Sequence, residues 1–144
     1  MKAAYPVIFT EVETNILIEV PDLKIYTEAN EEGAPKGTMA EAIMMARDAI
    51  GLACMNAEDN GEKIPMASSV EEIDISKGVF CGAGKSILSL VDVDLVMYRR
   101  KMDNKMVRRN VTLPNWLNLE AEKAQINVSK VLQEALMTRL GVTR

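Results

Sequence analysis

Alternating apolar and polar side chains mark extended segments in the first third of the chain. Residues 3–12 are rich in β-branched and aromatic side chains, and the pattern resumes over residues 16–20 (ILIEV) after a polar turn. Pro21 and Asp22 end the second segment. Residues 24–29 can form a third. The pattern therefore predicts antiparallel strands joined by short turns.

The periodicity becomes helical after a glycine-containing loop. Thr38 and Glu41 fit a capping box, in which each side chain satisfies a backbone N–H of the other residue. Apolar residues then recur at helical spacing and predict a helix over residues 39–56. Further extended pieces are expected around 78–82 and 86–93. This order predicts an α+β fold, a small antiparallel sheet with a helix on one face.

A second pattern begins near residue 103, where we place a domain boundary, giving domains 1–102 and 103–144. The stretch from Asp94 to Asn104 looks helical or transitional. Residues 107–113 alternate with period two up to a proline. Two helices should follow, one starting near Asn115 and one capped by Asn127 and ending before Gly141.

This strand–helix–helix module is too short to bury a core by itself, and its strand lacks a similar neighbour. Two-fold pairing of residues 107–113 into an antiparallel ribbon over four helices would solve both problems. Val111 and Leu113 must then face the core. A ribbon fits the DNA major groove, and its outward side chains could read bases: Arg108, Asn110 and Thr112. The start of the second helix offers amides, a hydroxyl and a cation for phosphate: Asn127, Val128, Ser129 and Lys130.

Charge is divided unequally along the chain. Residues 1–98 carry 7 basic and 17 acidic side chains, a net of −10, whereas residues 99–144 carry 10 basic and 4 acidic side chains, a net of +6. An acidic half repels nucleic acid and a basic half attracts phosphate. The two halves are therefore expected to have different partners.

Composition removes several classes of active site. The chain has no histidine, so histidine metal sites and Ser-His-Asp triads are excluded. Its two cysteines, Cys54 and Cys81, cannot form a zinc site alone, and no cofactor is expected. No apolar run approaches a membrane span, and the start of the chain lacks a signal-peptide core. A cytoplasmic protein is the expectation.

Two other motifs are compatible with chemistry but have a simpler structural interpretation. Gly82 to Ser86 (GAGKS) resembles part of a phosphate-binding loop, but Val79 stands where glycine is required and a strand pattern follows, which favours a glycine-rich hairpin turn. Four acidic residues could in principle form a magnesium-dependent nuclease site, although surface carboxylates are the favoured interpretation: Asp22, Asp48, Asp92 and Asp94.

The strand–helix–helix segment resembles a ribbon-helix-helix DNA-binding domain. Its sequence VRRNVTLPNWLNLEAEKA, followed by INVSKVLQEAL, resembles more specifically the C-terminal domain of HicB-family antitoxins. Four segments of the first half resemble segments of the same family and occur in the same order. They are YPVIFTEVE, ILIEVPDL, GTMAEAIMMARDAIGL and the closing strand VDVDLVMYRR. The sequence departs from the family pattern at two places. The loop that ends at Gly37 is longer and more acidic than usual, and position 125 has glutamine where glycine is usual.

The resemblance implies a partial RNase-H-like N-terminal domain that binds and inhibits a HicA-like toxin, a small mRNA interferase with a double-stranded-RNA-binding-like fold. It also implies that a homodimer through residues 107–144 represses the operon by binding operator DNA; whether dimers pair into tetramers stays open. The protein itself would not be an enzyme. Candidate toxin contacts lie around the third strand: Asp22, Leu23, Ile25, Tyr26 and Glu28. The main alternative is a ribbon-helix-helix repressor whose N-terminal domain senses a small ligand.

Overall fold

The chain forms two compact units in a computed structural model that describes residues 1–31 and 33–143. The N-terminal unit is Met1–Met102, and the C-terminal unit begins at Asp103. Within the described residues, no helix combines the length and apolar character needed to cross a bilayer.

The N-terminal unit is an antiparallel four-stranded sheet with two helices. Its elements in chain order are β1 (Lys2–Glu11), β2 (Ile16–Val20), β3 (Ile25–Glu28), α1 (Met39–Asp59), β4 (Lys85–Asp94) and α2 (Leu95–Met102). The order across the sheet is β3-β2-β1-β4. The central strand β1 pairs with β4 over its whole length, from Lys2 opposite Asp94 to Glu11 opposite Lys85.

The core lies between the sheet and α1. Every second strand residue points to this inner face, including Tyr5, Val7 and Phe9 of β1, and all three are buried. The helix contributes mainly small side chains, such as Ala42 and Ala46, which allow it to approach the sheet closely. Burial of these apolar side chains supplies most of the favourable free energy of folding.

Helix α2 packs against α1 at Gly51, which has no side chain. A Cβ atom on Gly51 would lie 2.5 Å from the ring of Tyr98, so only glycine admits this aromatic side chain. The Tyr98 hydroxyl donates to Asp48 at 3.2 Å. At the end of α2, the Arg99 guanidinium binds Glu58 at 2.7 Å and Asp59 at 2.8 Å. The end of α1 is thereby joined to α2.

The outer face of the sheet is covered by an irregular segment, residues 66–84, here called the covering segment. Its Ser68 N–H donates to Asp22 at 2.8 Å, and its Val79 N–H donates to Glu19 at 3.0 Å. Glu19 itself is only 5% exposed. These backbone contacts explain how a segment without strands remains attached to a sheet.

Most of the predicted elements of this unit are confirmed, and one is wrong. The helix predicted over 39–56 extends to Asp59, and its capping box is present. The extended piece predicted around 86–93 is β4, whereas residues 78–82 form turns. Those residues lie over the sheet and not within it, so they have no ladder of backbone hydrogen bonds. The closing strand ends at Asp94, and helix follows it.

The C-terminal unit contains two helices, α3 (Asn115–Lys123) and α4 (Val128–Leu140). The Asn127 side chain accepts from the Lys130 N–H at 3.1 Å, which confirms the predicted cap. Gly141 follows α4 with φ 63°, as expected of a glycine at a helix end. Residues 103–114 have no regular secondary structure, so the strand predicted over 107–113 is absent from the single chain. A strand needs a neighbour for its backbone, and the prediction places that neighbour on a second chain.

Candidate functional site

The C-terminal unit leaves its apolar side chains in solvent. None of the residues described after Met102 is buried. Three large apolar side chains on α4 are half-exposed or more, with Val131 at 50%, Leu136 at 51% and Leu140 at 71%. Val111, which the sequence pattern places toward a core, is 51% exposed. The described residues of this unit therefore form no buried core of their own in the single chain.

The three predicted base-reading side chains lie in the irregular stretch 103–114. Arg108, Asn110 and Thr112 are all exposed. Within the described part of the chain, their side chains make no hydrogen bond or ion pair. They are therefore available to a partner, but the single chain does not align them on one face.

The predicted phosphate-binding group lies at the N-terminus of α4. Asn127 uses its side-chain oxygen to cap the Lys130 N–H, so that amide is already occupied. The amides of Val128 and Ser129 are the first two of the helix and point outward with the positive end of its dipole. The Lys130 side chain is exposed and has no ion-pair partner among the described residues. Two amides, a hydroxyl and an ammonium group thus lie within one helical turn.

The five predicted toxin contacts have different structural roles. Asp22 accepts from both the N–H and the hydroxyl of Ser68, at 2.8 and 2.6 Å, so its carboxylate holds the covering segment. Leu23 and Ile25 are partly buried and pack against the core. Glu28 accepts from the Asn15 side-chain amide at 3.0 Å.

Tyr26 is the most exposed apolar side chain of this group, at 51%. Its ring meets Phe80 of the covering segment edge to face, with centroids 6.3 Å apart. Phe80 was missed at the sequence level because it lies far along the chain, in a stretch that was predicted to be extended. The available signal was a lone aromatic residue in a glycine-rich, polar loop. The two rings mark an aromatic surface on the β3 side of the sheet.

The carboxylates proposed for a nuclease each have a different partner. Asp92 binds Arg47 at 2.8 Å, and this hydrogen bond and charge lower the pKa of Asp92. Asp94 accepts from the Met97 N–H at 3.2 Å, which lowers its pKa. Asp22 holds Ser68, as described above. Among the described residues, no three acidic or thiol side chains come together as a metal-binding group.

The glycine-rich stretch is a turn that leads into β4. The turn is confirmed, although it does not join two strands of a hairpin. A Cβ atom on Gly84 would collide with the backbone carbonyl of Glu11, so glycine permits a close approach of two backbones. Because a strand follows, no helix N-terminus faces this turn, as a phosphate-binding loop requires.

Comparison with known proteins identifies the class to which this fold belongs. A family model described as the HicB-like antitoxin of bacterial toxin–antitoxin systems matches residues 5–139. The chain therefore belongs to the HicB-like antitoxin family, which confirms the resemblance seen in the sequence.

Two solved structures are similar. A toxin–antitoxin complex from Streptococcus pneumoniae matches with 19% identity over 96% of this chain and 99% of that chain, with a TM-score of 0.58. The antitoxin HicB of Burkholderia pseudomallei matches with 23% identity over 96% and 97% of the two chains, with a TM-score of 0.48. Comparison with curated protein sequences finds no match.

Proposed function

We propose that the protein neutralises a HicA-like mRNA interferase toxin through its N-terminal unit and represses its own operon through its C-terminal unit. The toxin is inhibited sterically, so the antitoxin performs no catalysis and needs no cofactor. The C-terminal units of two chains form a ribbon-helix-helix dimer that binds operator DNA. The family supplies the antitoxin role; the division of labour between the units is inferred from their surfaces and charges.

The exposed apolar face of the C-terminal unit carries the DNA-binding half of the proposal. A two-fold module exposes its apolar interface when its partner is absent. The half-exposed side chains of Val131, Leu136 and Val111 fit this description. Pairing residues 107–113 of two chains would cover these side chains and give the strand its missing neighbour. It would also direct Arg108, Asn110 and Thr112 outward together, in the arrangement that suits a major groove.

Charge supports both halves. A toxin that binds RNA must present cations to phosphate, and the N-terminal unit, residues 1–102, complements such a surface with 10 basic and 17 acidic side chains, a net of −7. The C-terminal unit, residues 103–144, carries 7 basic and 4 acidic side chains, and its net of +3 is doubled in a dimer and complements DNA. On the N-terminal unit, Tyr26 and Phe80 provide the aromatic anchor that protein interfaces favour.

Separate variants test the two halves. We expect Asn110→Ala to weaken operator binding by about 1–3 kcal/mol, because a base-edge contact is lost, and to leave toxin inhibition unchanged. Asn118→Ala removes the same side chain from the exposed surface of α3 and should leave operator binding unchanged. We expect Tyr26→Ala to weaken toxin inhibition and to leave operator binding unchanged. Electrophoretic mobility shift and an RNA-cleavage assay with purified toxin measure the two activities.

Two results would contradict the division of labour. One is an equal loss of both activities in Asn110→Ala; the other is operator binding in that variant as strong as in Asn118→Ala. A co-purified small ligand that releases DNA, with no toxin partner recovered from native cells, would favour the ligand-sensing repressor instead.

A further inference from the structure

The last turn of α2 carries three consecutive cations, Arg99, Arg100 and Lys101, and the helix contains no acidic residue. These cations end a unit that is otherwise acidic, since residues 1–98 have a net charge of −10. The other basic residues of the unit occur singly along the chain. The end of α2 is therefore a local concentration of positive charge on an acidic unit.

Acidic side chains of the unit neutralise the first of these cations. The Arg99 guanidinium binds two carboxylates at the end of α1, at 2.7 and 2.8 Å. Arg100 and Lys101 are exposed, and neither makes an ion pair within the part of the chain that the structure describes. The Arg100 guanidinium donates to the Met97 sulfur at 3.8 Å, which is a weak acceptor and carries no charge. Two full positive charges are therefore available to a partner.

The chain leads from this turn directly into the segment proposed to read bases. Val107, the first residue of the proposed ribbon, is six positions beyond Lys101. Six extended residues span at most about 20 Å. Duplex DNA carries one phosphate charge for about every 1.7 Å of its axis. A ribbon in the major groove therefore leaves further phosphates within the reach of this turn.

We propose that Arg100 and Lys101 bind backbone phosphates of the operator DNA, beside those contacted by the ribbon-helix-helix module. The inference rests on the proposed DNA binding and adds a contact from the N-terminal unit. Guanidinium and ammonium groups are common phosphate partners in DNA complexes, and such contacts read no sequence. The two charges raise the affinity for any duplex and offset the repulsion between DNA and the acidic unit. DNA is favoured over an acidic protein because the turn adjoins the segment whose proposed partner is DNA.

The salt dependence of DNA binding by the full chain tests this contact. Each phosphate contact adds about 0.9 to the slope of log K against log salt concentration. The double variant Arg100→Gln with Lys101→Gln removes two cations from each chain and four from a dimer. We expect its slope to be shallower than that of the wild type by about 2–4, which is roughly 15- to 250-fold less loss of affinity over a fourfold rise in salt. The DNA upstream of the protein's own gene and an unrelated duplex should show the same change, because phosphate contacts read no sequence.

Two control variants separate a phosphate contact from other effects of charge. Lys63→Gln with Lys77→Gln removes the same charge from two exposed lysines elsewhere in the N-terminal unit and should leave the slope unchanged. Arg100→Lys with Lys101→Arg keeps both charges and should retain the wild-type slope. Cations in a last turn also stabilise a helix, so circular dichroism of each variant checks that the helices are retained.

Three results would count against the inference, and they differ in what else they refute. A wild-type slope in the Arg100→Gln, Lys101→Gln variant overturns it and leaves the proposed DNA binding intact; an acidic protein as the partner of this turn would give that result. An equally shallow slope in the Lys63→Gln, Lys77→Gln control also overturns it, since net charge alone would then explain the change. A wild-type chain that does not bind the DNA upstream of its own gene refutes the proposed repression as well.

Discussion

Two non-glycine residues in the described part of the chain adopt a backbone conformation that usually requires glycine. Lys24, before β3, has φ 52°, and Gln125, between α3 and α4, has φ 53°. In this left-handed region the side chain of any residue but glycine is strained, at a cost of about 1 kcal/mol. Gln125 therefore forms the turn between α3 and α4 without the residue type that normally adopts this conformation.

Replacing Gln125 with glycine should stabilise the C-terminal unit. We expect Gln125→Gly to raise its free energy of unfolding by about 0.5–1 kcal/mol, because the strain is relieved at a position outside both helices. The control is Lys123→Gly in the last turn of α3, which should lower the same quantity. Trp116 is the only tryptophan, so its fluorescence during urea unfolding reports this unit. A lower stability of Gln125→Gly would contradict the prediction.

The covering segment is held on the sheet by two carboxylates, and Glu19 binds the part nearest Phe80. Glu19 is almost fully buried, and its carboxylate accepts the Val79 N–H at 3.0 Å. A Cβ atom on the neighbouring Gly78 would lie 2.9 Å from the same carboxylate, so the backbone passes directly over it. This contact holds the part of the covering segment that carries Phe80.

Removing that carboxylate should detach the segment locally. We expect Glu19→Ala to lower the free energy of unfolding of the N-terminal unit by about 1–3 kcal/mol, since the Val79 N–H loses its partner. Amide exchange at Val79 should accelerate while exchange in β1 changes less. Glu13→Ala removes an equal charge from an exposed turn and should change neither. Unchanged exchange at Val79 would show that Glu19 does not anchor the segment.

Elements with local signals could be predicted, and the covering segment could not. The capping box at Thr38 and the Asn127 cap are formed by residues within one helical turn, so their spacing identifies both helices. The covering segment is held instead by contacts between distant residues, such as Val79 with Glu19 and Ser68 with Asp22. No periodic pattern encodes such contacts. The structural role of Asp22 and the contact between Phe80 and Tyr26 could not be predicted for the same reason, because they also join distant residues.

For the whole molecule, the proposed dimer should depend on the apolar face of α4. We expect Leu136→Glu to weaken self-association by more than about 1.4 kcal/mol, a tenfold change in the dissociation constant, because a charge would be buried between chains. Gln133→Glu adds the same charge at a polar position and should leave association unchanged. Sedimentation equilibrium at micromolar concentration measures both. A wild-type protein that is monomeric there would contradict the proposed dimer.

Residues 103–114, the first part of the C-terminal unit, are wholly exposed and have no regular secondary structure in the single chain. Lys105, Arg108 and Arg109 lie within this stretch and are exposed, so a protease that cleaves after basic residues finds accessible sites there. One cut separates the half proposed to neutralise the toxin from the half proposed to bind DNA. Because pairing of residues 107–113 would shield two of the three sites, the cleavage rate becomes a measure of how much of the protein is unpaired. At low concentration, where fewer chains are paired, cleavage would then remove the proposed DNA-binding activity first and leave a folded N-terminal fragment.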